Sequence, residues 1–265
     1  MSDAKRSPAV RLSLSLIASM LIAVIGLFMV RCLAPTSWLH ANNEVAGNYL
    51  QTVGTIYAVL LAFVVFVVWQ QHNDTRSAVE SEANELADFY RTIRALPGTQ
   101  PVQDFIHKYG KVVVGEEWRE MARGRWSREA ERALEEIWHV LQSIEPRTRR
   151  EDALYAEALA RFNDLSDARS RRLHCSLLRL PPSLWVLLLT NGGLVVGSMW
   201  IFGLESFSAH ALMTVALAGS IAFILFLVAD LDNPFWGSWR IGPDAFQRAL
   251  GNGLKPESPG DSKGV

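Results

Sequence analysis

The chain has 265 residues, of which 49% are hydrophobic and 20% charged, with a formal net charge of −1. The near-balance of acidic and basic residues excludes a strongly basic face for nucleic acid. The mean hydropathy of +0.12 averages two unlike compositions: uncharged apolar blocks toward both ends and a charge-rich block between them, the pattern of a membrane protein with a soluble insert.

Residues 1–11 are polar and basic through Lys5, Arg6 and Arg11, and the apolar run Leu12 to Val30 follows. A charged start before an apolar run also describes a cleaved signal peptide, but this run is longer than a signal core and no small-x-small site ends it. It is read as a retained first membrane helix, with Arg31 able to snorkel to the interface. Ala34 to Asn48 is a loop containing Pro35, Asn42 and Asn43. The second membrane helix, about Asn48 to Trp69, contains TVGTIYAVLLAFVVFVVW, which carries no charge and is long enough to span.

From Asn73 to Leu180 the chain is charged throughout. Val79, Ala83, Leu86, Tyr90 and Ile93 recur at helical spacing, so an amphipathic helix continues from the second span, with Asn73 or Asp74 as candidate cap and Pro97-Gly98 as its end. Further helices are expected over Val102 to Arg123, from Ser127 to before Pro146, and over Arg149 to Arg179. Four such helices can bury their apolar stripes as an antiparallel bundle. Pro181-Pro182 starts a third membrane helix, Leu184 to Phe202, and Ala211 to Ala229 is the fourth. Arg240, Arg248 and Lys255 follow it. The distribution of Lys and Arg puts both termini and the insert on the cytoplasmic side of a cell inner membrane, and the loops bearing Glu44 and Glu205 outside. The expected fold is therefore all-α and integral to the membrane: a first helix pair (1–72), a cytoplasmic helical domain (73–180), a second helix pair with a membrane-edge motif (181–237) and a partly disordered tail (238–265). Cys32 and Cys175 then face opposite sides and cannot pair.

Small residues stripe the membrane helices: Gly54, Ala58 and Ala62 at intervals of four, and Gly193 with Gly197. They allow close helix approach within one chain or between several. A second stripe of Asn48, Thr52, Thr55, Val59, Phe63 and Phe66 is polar at one end and aromatic at the other. It suits a pore wall, with a polar vestibule leading to a dry constriction. The other reading is lipid or core contact, with the threonine hydroxyls bonded to their own helix. Glu80, Glu85, Asp88, Asp164 and Asp167 make an acidic group with Arg91, Arg161 and Arg169 spaced to pair with it. Ion pairing is favoured over a divalent-cation site. The six histidines are scattered, with no HExxH, GxSxG or Walker loop, so neither enzyme, metal nor cofactor is expected. Asp230 and Asp232 are expected to hold the turn into Asn233-Pro234, with Arg172 or Arg240 as partner.

The segment Asp230-Leu231-Asp232-Asn233-Pro234-Phe235-Trp236-Gly237 resembles the Asn-Pro-Phe-Gly segment of bestrophins. Together with GTIYAVLLAF (54–63), WQQHND (69–74), EANELADFYR (82–91), NDLSDARSRRL (163–173), LPPSLWVLL (180–188) and DLDNPFWGSWRIGPDAF (230–246), the chain is similar to the bacterial bestrophin-like family. The resemblance implies an oligomeric ion channel, anions being the family's cargo, in which the stripe from Asn48 to Phe66 lines the pore. The partners implied are the lipid bilayer, further copies of the chain and the ions. The sequence departs from the pattern where Trp236 separates Phe235 from Gly237, and where Ser238, Trp239 and Arg240 replace the acidic run of calcium-gated members; calcium gating is not implied. The alternative function is a non-conducting membrane scaffold whose helical bundle binds a partner. A membrane enzyme ranks last.

Overall fold

The computed structural model describes residues 8–34, 39–40 and 43–253. The expectations for Lys5, Arg6, Pro35, Asn42, Lys255 and the segment Pro256 to Val265 lie outside them. Among the described residues there is helix, turn and loop but no strand. The helices are α1 (Pro8–Leu33), α2 (Asn43–Arg94), α3 (Gln100–Val112), a π-helical turn (Val113–Glu117), α4 (Trp118–Met121), α5 (Arg128–Gln142), α6 (Arg149–Leu177), α7 (Pro182–Trp200), α8 (Phe207–Leu231), α9 (Asp244–Arg248) and a second π-helical turn (Ala249–Gly253). Four helical stretches are long and apolar enough to cross a membrane: Val10–Leu33, Asn43–Arg94, Arg149–Trp200 and Phe207–Leu231.

Contacts divide the chain into two compact units. One comprises Met1–Gln70, Arg179–Asp232 and Gly237–Trp239; the other comprises Gln71–Leu178, Asn233–Trp236 and Arg240–Val265. α2 contributes to both as one unbroken helix. Asn73 and Asp74 do not cap it, contrary to the sequence expectation. A cap satisfies orphan N–H groups at a helix start, and here the preceding turn already supplies the carbonyls. The helix ends where Gly98 turns with φ +72. Beside it, the Thr99 hydroxyl donates to the Ile93 and Leu96 carbonyls at 2.7 and 2.9 Å.

In the first unit, α2 packs Tyr57, Leu61, Val64 and Val68 against Leu188 and Val195 of α7 and Val228 and Leu231 of α8. Close approaches use glycines outside the expected small-residue stripes. Gly26 faces the Trp200 ring, Gly219 faces Met20, and Gly192 faces Tyr57. A Cβ on Gly54, Gly193 or Gly197 would meet nothing within 4 Å, so those stripes are unpacked within the chain. The loop between α7 and α8 is pinned by Asn43, whose amide exchanges hydrogen bonds with the Gly203 backbone at 2.8 and 3.3 Å. Arg31 donates to the Leu204 carbonyl.

The second unit is built on amphipathic helices with explicit starts. The Ser127 hydroxyl accepts from the Glu129 and Ala130 N–H groups, and Thr148 caps α6 by accepting from Glu151. The buried positions Val102, Ile106, Tyr109, Val113, Glu117 and Met121 run along α3 to α4. Over that length a regular α-helix drifts by roughly a quarter turn from their line. The π-helical turn absorbs the drift and brings Glu117 into the core. Within the expected tail, the described residues from Arg240 onward belong to this unit. Ile241 and Phe246 are buried, the Trp118 indole donates to the Ile241 carbonyl at 3.0 Å, and Phe246 meets Trp118 edge-on.

At the centre of this unit lies a charge cluster that no stripe analysis of the sequence identified. Arg172, Glu82 and Glu117 are fully buried. The Arg172 Nε and Nη2 donate to Glu82 at 2.5 and 3.1 Å, and Nη2 also donates to Glu117 at 2.6 Å. Arg169 donates to the other Glu117 oxygen at 2.8 Å, and the Tyr109 hydroxyl donates to Glu82 at 2.5 Å. Two carboxylates thus meet two guanidiniums. Burial by itself pulls the Arg172 guanidinium down, but Glu82 and Glu117 reverse this and hold it above its ordinary value. Burial, reinforced by Glu82, pushes the Tyr109 phenol well up. Arg169 therefore serves Glu117, not the acidic group on α2 and α6 as the spacing suggested. In that group Arg161 pairs with Glu157 at 2.8 Å and lies 3.7 Å from Glu85, and Arg91 pairs with Asp88 at 2.8 Å.

Removing one member of a buried ion cluster strands its partners. Arg172→Met is expected to cost about 3–5 kcal/mol, seen as loss of the cooperative thermal transition of the detergent-solubilised chain, with partial recovery when Glu82→Gln and Glu117→Gln are added. Tyr109 sets a pH limit. Its folded-state pKa is raised above the unfolded value of about 10, so its contribution is complete below that pH. It is lost above it at about 1.4 kcal/mol per pH unit, as the unfolded phenol ionises first. Tyr109→Phe is expected to be less stable at neutral pH and to show a shallower alkaline decline in the same melt.

Candidate functional site

The residues Asn48, Thr52, Thr55, Val59, Phe63 and Phe66 all lie on one exposed face of α2, opposite the packed face of Tyr57, Leu61, Val64 and Val68. Phe63 and Phe66 are 67% and 65% exposed, so neither ring is core. The Thr52 and Thr55 hydroxyls donate to the Asn48 and Gln51 carbonyls at 2.9 and 2.7 Å. Their protons are thus committed to the helix, and only oxygen lone pairs point outward. No charged side chain lies on the face. One end of this exposed face differs from that of α1, where Leu21, Ile22, Ile25 and Phe28 are exposed. The contrast lies at the end carrying Asn48, Thr52 and Thr55, since large apolar side chains suit lipid and an amide beside hydroxyls does not; Val59, Phe63 and Phe66 are as apolar as the α1 surface.

The membrane-edge motif is divided between the two units. In the first, the buried Asp230 carboxylate accepts from the Ser238 and Trp239 N–H groups at 2.8 and 3.2 Å. Gly237 makes this possible. Its φ of +99 favours glycine, and a Cβ there would run into the Asp230 carboxylate. The turn seats Trp239 edge-on to Trp69, with ring centroids 6.1 Å apart. Asp232 accepts from the Leu180 N–H at 2.7 Å. Burial pushes its carboxyl up, and the Leu180 N–H and the Arg179 charge pull it back. Arg172, expected as a partner for these aspartates, is engaged with Glu82 and Glu117 instead, and Asp230 is held by backbone donors.

In the second unit, Asn233 donates to the Ala122 carbonyl at 3.3 Å and Pro234 accepts from Ile241 at 2.7 Å. Phe235 packs edge-on against Trp118 at 5.6 Å. Asp230 therefore holds the chain on the far side of the turn, Asp232 holds the segment before α7, and Asn233 to Phe235 belong to the core around Trp118. Among the described residues no group of three or more His, Cys, Asp or Glu is placed to hold a metal ion. Cys32 and Cys175 are free thiols.

The fold and these two features define an all-helical membrane protein whose second helix carries an exposed face, polar at one end and aromatic at the other. A family model of the Bestrophin-like domain matches residues 17–246, most of the chain, and the chain belongs to that family. It is similar in fold to a crystal structure of a bacterial bestrophin homologue from Klebsiella pneumoniae carrying a point mutation, with TM-score 0.70 and 11% identity over 90% of this chain and 98% of that one. A further structure of the Klebsiella pneumoniae homologue gives TM-score 0.65 at 13% identity, covering 90% and 98% of the two chains. A crystal structure of a membrane protein variant gives 0.66 at 13%, covering 92% and 97%. Comparison with curated proteins gives no match.

The Asp230 turn can be tested directly. Gly237→Ala places a β-carbon in a left-handed conformation and against a carboxylate. It is expected to destabilise the chain by about 1–3 kcal/mol, measured by thermal unfolding in detergent. Gly124→Ala, where a Cβ at φ +72 has open space, is expected to cost less.

Proposed function

We propose that several copies of this chain assemble around an axis with the Asn48 to Phe66 face of α2 lining an ion-conducting pore. The carrying observation is the exposure, on a membrane-length helix, of the polar residues Asn48, Thr52 and Thr55 in line with Val59, Phe63 and Phe66, while the opposite face is packed. The bestrophin-like fold supports the same reading. Asn48, Thr52 and Thr55 form the wide polar end. Val59, Phe63 and Phe66 form a dry constriction, where an ion loses hydration without gaining ligands. Anion passage, the family's implied activity, calls for donors on the wall; Asn48 supplies an amide, whereas the threonine protons are already used. The topology proposed is four spans in a cell inner membrane, with the termini and residues 73–180 cytoplasmic. The membrane-edge residues Asp230, Asp232, Asn233, Pro234 and Phe235 act as a structural joint with no contact to the permeating ion.

The non-conducting scaffold is less well supported. A docking scaffold calls for a broad apolar patch, and among the described residues of the second unit the exposed large apolar side chains are Trp126, Leu177, Leu178 and Trp236.

Purified chain in liposomes is expected to pass ions, read as chloride and sodium flux in parallel. Phe63→Ala with Phe66→Ala leaves no cavity in the protomer, because both rings are exposed, and is expected to raise flux severalfold from an oligomer of unchanged size. Loss of the oligomer with no added flux would make the rings packing residues. A cysteine at position 205 should label from outside, and one at position 120 only after permeabilisation; the reverse pattern overturns the topology.

A further inference from the structure

Chain position accounts for three of the four large apolar side chains exposed on the described second unit. Leu177 and Leu178 come just before Pro181-Pro182, where α7 begins, and Trp236 comes just after the end of α8. Trp126, 52% exposed, is far in sequence from every membrane helix, yet contacts within the unit bring its surroundings to the same boundary. The Ala122 carbonyl accepts from the Asn233 amide at 3.3 Å, and Asn233 stands two residues beyond Leu231, the last residue of α8. Trp118 meets Phe235 edge-on at 5.6 Å. Met121 sulfur accepts from Arg172 Nη1 at 2.8 Å, and Arg172 lies about 8 Å of helix short of Leu177, where α6 ends. The loop after α4 is also held firmly. Gly124 turns with φ +72, the Arg125 N–H donates to the Glu120 carbonyl at 3.0 Å, and the buried Ser127 hydroxyl donates to Glu116 at 2.6 Å while it caps α5. Arg123, Arg125, Trp126 and Arg128 point out of this frame, all exposed. Arg123 and Arg125 share one carboxylate, Glu120, at 2.7 and 2.8 Å, which leaves a positive charge over. Arg128 adds another, since the neighbouring Glu129 pairs with Arg132 at 3.6 Å.

We propose that the loop from Arg123 to Arg128 is a membrane-surface anchor that binds the anionic phospholipid headgroups of the bilayer the chain spans, with the Trp126 ring seated among them and Arg123, Arg125 and Arg128 on their phosphates. This rests on α8 crossing the bilayer and ending at the Asp232 turn, and is independent of whether the chain conducts. The chemistry fits that surface. An indole is apolar over its faces and polar at its N–H, and so favours the boundary between hydrocarbon and water. A guanidinium donates in a fork that matches phosphate oxygens, and basic side chains beside an anionic leaflet are attracted to it. A soluble polyanion could use the same charges, but the tether through Asn233 favours the bilayer. A loop held beside a membrane helix meets headgroups at high effective concentration, whereas a soluble partner has to be captured from dilute solution.

The test uses the full chain with Cys32→Ser and Cys175→Ser and one fluorophore-labelled cysteine, introduced as Arg125→Cys, Trp236→Cys or Arg150→Cys. Arg125→Cys keeps Trp126 in place. Arg150 is exposed and lies about 40 Å along α6 from Leu177. The chain is placed in vesicles of equal parts phosphatidylcholine and phosphatidylglycerol, or of phosphatidylcholine alone, and quenched with acrylamide, which is neutral and indifferent to surface charge. In the mixed vesicles the label at 125 is expected to be shielded roughly threefold relative to the label at 150. About half of that shielding should go in phosphatidylcholine alone, in Trp126→Ala, and in Arg123→Gln with Arg128→Gln. These side chains are exposed, so the thermal transition should be kept in each variant. A label at 125 as open as the one at 150 overturns the proposal. If the label at 236 is open too, the membrane-edge reading of α8 falls with it, whereas shielding at 236 alone leaves that reading standing. Shielding at 125 that is equal in both lipids and survives the variants is protein packing and overturns the proposal. A label open in vesicles and shielded only when polyglutamate or RNA is added assigns the loop to a soluble polyanion and overturns it equally.

Discussion

The second unit depends on one buried interaction, the contact of Arg172 with Glu82 and Glu117. An isolated charge in a protein interior is prohibitively costly. These three are tolerated because each oxygen and most guanidinium hydrogens have partners, with Arg169 and Tyr109 completing the set. The consequence is geometric. Glu82 comes from α2, Glu117 from the π-helical turn and Arg172 from α6, so the three elements can pack only in the register that brings the charges together. Apolar stripes alone permit several rotations of a helix about its axis; a bidentate guanidinium does not. Arg172 also lies over the Trp118 and Phe246 rings at 5.6 and 5.8 Å, which ties the segment after the last membrane helix into the same cluster.

α2 is a single helix from Asn43 to Arg94, and no glycine or proline after Gly54 interrupts it. Each unit uses its own part of it: Tyr57, Leu61, Val64 and Val68 pack in the first, and Val79, Ala83, Leu86, Tyr90 and Ile93 are buried in the second.

The turn after α8 is a second device of the same type. Asp230, Gly237 and Trp239 return the chain to the end of the apolar part of α2, where Trp239 meets Trp69. Tryptophans are favoured at membrane boundaries, where one side of the ring is apolar and the other wet. The carboxylate that looked costly at a membrane edge is satisfied by two backbone N–H groups, and so needs no arginine.

Much was legible in the sequence because it depends on local physics. Charge-free runs of spanning length marked the membrane helices, Ser127 marked a helix start, and helical spacing marked the buried positions Val79, Ala83, Leu86, Tyr90 and Ile93. The exposed stripe on α2 followed from the same periodicity. The charge cluster left a trace too: Glu82 lies three residues after Val79 and Arg172 four after Ala168, each in register with an apolar stripe. Sequence places a charge on a buried face but does not say which distant charge answers it. That pairing is a matter of tertiary geometry, and it drew Arg172 away from the aspartates at the membrane edge and Arg169 to Glu117. The same limit applied to the glycines. Spacing singled out Gly54, Gly193 and Gly197, yet close approach within the chain falls at Gly26, Gly192 and Gly219, because which face of a helix meets a neighbour is decided only when the helices pack. The sequence by itself therefore determined the elements and their buried faces, and the tertiary structure decided the partners.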